Sequence, residues 1–202
     1  MWSIKRTVEP VVELVELEEL RRHLRLGDVN DHDATLLDLL LEAVRTCEVD
    51  RDETFLEATY RLRCDSFFEN HLCYRGGLRI PGPAKPLLAI SSIQYVDTAG
   101  VTQTLSSALY RVHTDDPYGW VEPEYGQSWP SVRSEANAVT ITLTAGYGAA
   151  ATDVPPFVRL AVKRLVAEWF EHREATVTGT INTQLPMSVR YLLDVNRVAG
   201  IG

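Results

Sequence analysis

Residue types able to ligate a metal or act as nucleophiles gather in one stretch: Cys64, His71 and Cys73, with Asp65 and Glu69 between them. Thiolate, imidazole and carboxylate are the ligands of zinc, so a metal centre or a small thiol enzyme would be sought here first. Structural zinc sites pair close ligands twice over, whereas here only His71 and Cys73 form a close pair. Cys64 equally fits the inward face of a strand. The simpler reading is three reduced thiols, Cys47 included, since an odd and unevenly spaced set is no disulfide framework. No metal and no cofactor are expected. A metal-free elemental analysis, together with an active double variant of Cys64 and Cys73, would dispose of the enzyme reading.

Other catalytic patterns are wanting. No Gly-x-x-x-x-Gly-Lys-Ser/Thr loop is present. Gly146-Tyr147-Gly148 follows a strand-like run, but Ala151 stands where a third phosphate-binding glycine belongs and prolines precede the next helix. No serine lies in a Gly-x-Ser-x-Gly elbow. His23, His32, His71, His113 and His172 are scattered, and the acid pairs Glu18/Glu19 and Asp115/Asp116 read as a solvated helix face and a loop tip. Trp120, Tyr125 and Trp129 suggest stacking on a base or a sugar. With only Arg133 as a nearby cation, they are expected instead to pack their loop onto a sheet or a neighbour. No catalytic residue is assigned, and the chain is expected not to be an enzyme.

Composition agrees. The 202 residues carry 20 Lys and Arg against 28 Asp and Glu, a net charge of −8. Such an acidic chain gains nothing from counterion release on nucleic acid, which speaks against general nucleic-acid binding. No apolar run is long enough to span a bilayer, and the first residues lack the apolar core of a secretory signal.

The elements fall in three blocks. Leu17, Leu20 and Leu24 recur at helical spacing over residues 16–25, with Gly27 as the stop. A second helix is expected from a cap among Asn30, Asp31 and Asp33 to Val49, striped by Leu36, Leu37, Leu40, Val44 and Cys47. Leu39 and Leu41 widen that apolar face beyond what one packing partner requires. The period then becomes alternating at Tyr60, Leu62 and Cys64. A hairpin is expected from residues 90–96 and 101–105, a short strand at 109–113, and a long loop over 115–134 with at most a short strand near Trp120. The clearest strand alternates Val139, Ile141 and Leu143 with threonines. Pro155-Pro156 opens a helix to about Glu174, and Pro186 opens a last one with Val189, Leu192 and Leu193 on one side. The fold class is therefore α+β: a bundle of about four helices with an inserted antiparallel β module. The expected parts are residues 1–54 (helical), 55–150 (β-rich) and 151–202 (helical, packing on the first).

The order of these segments resembles the head–tail connector (adaptor) proteins of long-tailed phages and phage-like gene transfer particles. The likeness rests on Leu17-Glu18-Glu19-Leu20-Arg21-Arg22-His23-Leu24-Arg25, on Pro86 followed by Ile90-Ser91-Ser92-Ile93-Gln94-Tyr95-Val96-Asp97, and on Val139-Thr140-Ile141-Thr142-Leu143-Thr144-Ala145-Gly146-Tyr147-Gly148 with Val154-Pro155. It continues through Glu168-Trp169-Phe170-Glu171-His172-Arg173, Leu185-Pro186, Val189-Arg190, Leu192-Leu193 and Arg197. Residues 63–77 and Asp194-Val195-Asn196 depart from the pattern. The resemblance implies a ring of about a dozen copies, closed by a heterologous interface. The ring would lie beneath the portal protein and dock a stopper or tail-completion protein. DNA would pass through its channel without sequence-specific binding, and no membrane would be involved. The location would be the virion neck, after assembly in the host cytoplasm. Leu37, Leu41, Trp169 and Arg173 are the expected subunit-interface residues. Arg190, Tyr191 and Arg197 are the expected portal-docking residues. Another neck or tail component (stopper or tail terminator) and a minor capsid protein are the alternatives.

Overall fold

The computed structural model describes residues 1–27, 30–69, 72–74, 76–114, 119–172 and 185–195. Among these residues there are four α-helices and two antiparallel sheets, the α+β class expected. The chain divides into two compact units: Met1–Val11 with Asp52–Ala149, and Val12–Arg51 with Ala150–Gly202.

The first unit holds the sheets. Its strands are β1 (Trp2–Val8), β2 (Ala58–Cys64), β3 (Cys73–Tyr74), β4 (Gly77–Arg79), β5 (Leu87–Val96), β6 (Thr102–Thr104), β7 (Tyr110–His113), β8 (Trp120–Pro123) and β9 (Val139–Ala145). One sheet has the order β1-β2-β9-β5-β6, the other β3-β4-β8-β7. Alternation dictates the layering. Tyr60, Leu62 and Cys64 of β2 and Val139, Ile141 and Leu143 of β9 are buried, while Arg61 and Arg63 are exposed. The inward residues of both sheets share one core with Leu78, Tyr110, Val121, Phe67 and Trp129. The outward residues form rows across the larger sheet. Ser3, Arg63, Thr140 and Gln94 are successive register partners, and so are Lys5, Arg61, Thr142 and Ser92.

The second unit holds α1 (Leu17–Leu24), α2 (Asp33–Arg51), α3 (Pro156–Glu171) and α4 (Met187–Val195). The α2 helix packs on α3, α3 on α4, and α1 on both α2 and α3. Leu20, Leu36, Leu40, Ala43, Val158, Val162, Leu165, Val189 and Leu193 are the buried stripes that make this possible. Two polar ties bind the first helix. Arg21 grips Asp33 through two parallel hydrogen bonds of 2.8 and 2.6 Å, and Glu19 accepts from Arg159 at 2.7 Å and Lys163 at 2.8 Å.

One expectation needs correction. Residues 1–54 do not form one helical part. Trp2–Val8 is a strand on β2 and belongs with the sheets. The helix expected over residues 16–25 spans Leu17–Leu24 and is closed by Arg25, which takes the left-handed conformation (φ 57°) and lets Leu26 N–H reach the carbonyl of Arg21. The short strand expected near Trp120 is present as β8, an interior member of the smaller sheet between β4 and β7.

Candidate interaction surfaces

Several polar groups are committed to the fold. In the β unit, Arg6 Nε donates to Tyr60 Oη at 2.7 Å, which lies 2.7 Å from Thr54 Oγ1, which in turn donates to the Pro83 carbonyl at 2.7 Å. Because the last step uses the threonine proton, Tyr60 must donate to Thr54. The donors then run in one direction and end on a carbonyl, so neither hydroxyl is left as an activated nucleophile.

The glycine turn Gly146-Tyr147-Gly148 is spoken for in the same way. Gly146 N–H donates to Pro86, Tyr147 N–H to Phe55, and the Gly148 carbonyl accepts from Glu57 N–H. A Cβ at Gly146 (φ 132°) would stand 2.7 Å from the Leu56 carbonyl. The turn ties the end of β9 to the segments that lead into β2 and β5. Two of its amides, which a phosphate would need, are already used.

Cys64 is buried beneath the larger sheet, and burial pushes its thiol up to about 12, as it does that of Cys47. Cys73 is exposed. The carboxylates of Asp65 and Glu69 face the amino group of Met1 at 2.6 and 2.9 Å. Among the described residues, no three His, Cys, Asp or Glu side chains are placed to hold a metal ion, and His71 lies outside those residues. Of the loop aromatics, Trp129 stacks flat on Phe67 at 4.5 Å, its indole N–H donating to Gly76 at 3.2 Å. Trp120 stacks on His113 at 4.0 Å. Tyr125 remains 97% exposed.

Three helices also carry apolar side chains that the unit leaves exposed or half-buried. On α2, Leu41 and Val49 are exposed eight residues apart on one face, and Leu37, one turn before Leu41, is half-buried. On α3, Trp169 is half-buried. On α4, Met187, Tyr191 and Val195 are 88%, 68% and 59% exposed. Their spacing of four aligns them as one stripe on the side away from buried Val189 and Leu193. Arg190 flanks the stripe, with its Nε 3.6 Å from Asp194. Arg173 and Arg197 lie outside the described residues. Val49, Met187 and Val195 were absent from the predicted set. The spacing of Met187, Tyr191 and Val195 was visible, but only the burial of the opposite stripe gives it meaning.

The α4 helix is held in place by its unit. The buried Arg51 guanidinium donates to the Leu193 carbonyl in the last turn of α4 and lies 5.5 Å from the centre of the Phe157 ring. A cation there complements the negative end of the helix dipole. The exposed stripe is therefore presented on a fixed rod.

No protein-family model matches the chain, and no curated protein matches it. Solved structures do. A chain of the neck of an empty gene transfer agent (GTA) particle, computed with C6 symmetry, is 25% identical and aligns over 98% of both chains with a TM-score of 0.76. A chain from the virion of a native GTA particle is 24% identical, covering 98% of this chain and 97% of that one, with a TM-score of 0.77. A chain of the native GTA neck computed with C12 symmetry is 23% identical over 98% of both, with a TM-score of 0.72. Along its whole length, then, the chain has the fold of a gene transfer agent neck protein, the kind of component that its segment order had resembled.

Proposed function

We propose that this chain is a structural component of a virion neck, and within it the head–tail connector (adaptor) ring beneath the portal. The observation that carries this reading is the match with a GTA neck chain over 98% of each chain. The committed polar groups support a non-catalytic role. Presence of the fold in necks computed with C6 and C12 symmetry supports a ring of about twelve, since both orders divide it. The exposed stripe of α4, flanked by Arg190, suits docking on the portal. Leu41 and Val49 of α2 suit one side of the contact between neighbours. The opposite end of the ring would receive the stopper or tail-completion protein, and DNA would pass through the centre.

The test is to mix the purified chain with its portal protein and image the product. A ring one layer below the portal is expected, whether or not the chain is monomeric alone. Failure to associate with the portal, under conditions where another neck protein does associate, would overturn the adaptor assignment.

A further inference from the structure

The chain is acidic overall, yet one face of it is not. Lys5 and Arg61 are direct register partners on β1 and β2, and Arg63 follows on the same side of β2. All three are exposed, and none makes an ion pair with another described residue. Like charges placed opposite each other destabilise a sheet, and a neighbouring carboxylate would relieve them. The two rows that cross β1, β2, β9 and β5 contain none. Beside the cations they carry the hydroxyls of Thr140 and Thr142, with Ser and Gln completing the rows. Asp65, just beyond β2, is engaged by Met1 and by Asn137 N–H.

We infer that this outer face of the larger sheet contacts the sugar–phosphate backbone of duplex DNA. Its chemistry decides between two kinds of partner. Protein interfaces concentrate aromatic residues, Met and Arg and are poor in Lys and Ser at their centres, whereas Lys, Ser, Thr and Gln, together with Arg, are the residues that meet phosphates. The face has the second composition, and no large apolar side chain interrupts either row. A flat array of this kind carries no base-reading element, so the contact is independent of sequence. The choice of DNA as the source of phosphate rests on the neck reading. The charge pattern does not.

The test measures fluorescence anisotropy of a short labelled duplex with the full chain over a salt series. Three phosphate contacts give a slope of about −2.7 in log K against log salt, so affinity falls about 40-fold between about 50 and 200 mM. For the double variant Arg61→Gln, Arg63→Gln the slope is about −0.9, and the fall about 3.5-fold. Lys5→Gln alone reduces the slope by about 0.9, which keeps the test alive if the double variant misfolds. Arg111→Gln, on the smaller sheet and paired with Glu124, leaves the slope unchanged. Duplexes of unrelated sequence bind equally. Wild-type protein without salt-dependent binding, or a double variant indistinguishable from it, would overturn the inference. So would a double variant that changes self-association in sedimentation while binding DNA as before, because the face would then meet another copy. Incorporation of the double variant into particles is scored separately. Loss of DNA binding with normal incorporation leaves the neck reading intact, and absence of wild-type chain from particles counts against that reading alone.

Discussion

Tyr191→Ala should separate docking from folding. The ring sits at the centre of the exposed α4 stripe, 68% exposed, between Met187 and Val195. A tyrosine offers roughly 200 Å² of surface, so about 140 Å² remains to be covered by a partner. At about 25 cal/mol per Å² complete coverage would contribute about 3.5 kcal/mol, of which only part survives the costs of association. An expected loss of about 2–3 kcal/mol places Tyr191 among hot-spot residues and weakens portal binding about 30- to 150-fold. The chain itself should hardly notice. No described residue depends on the exposed part of the ring, so the unfolding midpoint should move by less than about 0.5 kcal/mol. The assay is a binding titration of wild-type and variant chain against the portal, with urea unfolding of each in parallel. Unchanged binding would refute the docking role of α4. Weakened binding with an equal loss of stability would refute it too, because the effect would then lie in the fold.

Three further outcomes test the structure. Trp129→Ala removes the partner stacked on Phe67 inside the shared core and should cost about 3–5 kcal/mol in urea unfolding, whereas Tyr125→Ala in the same loop should be nearly neutral. A thiol reagent at neutral pH should label Cys73 of the folded protein and spare Cys47 and Cys64, which are buried and whose thiolates are disfavoured; rapid labelling of all three would contradict the core assignment. The hydrogen bond from Lys163 holds the Glu19 carboxyl below its ordinary value of 4.5, helped by the charges of Lys163 and Arg159 and opposed by burial. Its stabilisation is therefore complete above that value and is lost as pH falls through the lower folded one. Glu19→Gln should cost about 1 kcal/mol at pH 7, with the gap between wild type and variant closing as the pH falls below the ordinary value of 4.5; a gap constant with pH would contradict the ion pair.

Much of the fold was legible because burial enforces period. The alternation of Val139, Ile141 and Leu143 gave β9, and the leucines of α2 and the prolines opening α3 and α4 gave the helices. The strand β1 was missed for a physical reason. Its inward positions are Trp2, Ile4 and Arg6, and a charged residue facing inward breaks the apolar alternation. Arg6 is tolerated there because it donates to Tyr60, a partner that is distant in the chain. The strands β3 and β4 have two and three residues, too few to show a period. The surfaces were harder to read than the core. Exposure of Tyr191 follows from which side of α4 packs on α3. The cationic face exists only once register sets Lys5 against Arg61, so no local pattern could announce it.

The most direct test of the account is a density map of the whole particle in which this chain is built. The neck reading predicts a single ring at the head–tail junction, directly below the portal, with Met187, Tyr191 and Val195 covered by the portal. Purified particles that lack the chain, or a chain placed in the capsid shell or at the tail tube, would contradict it.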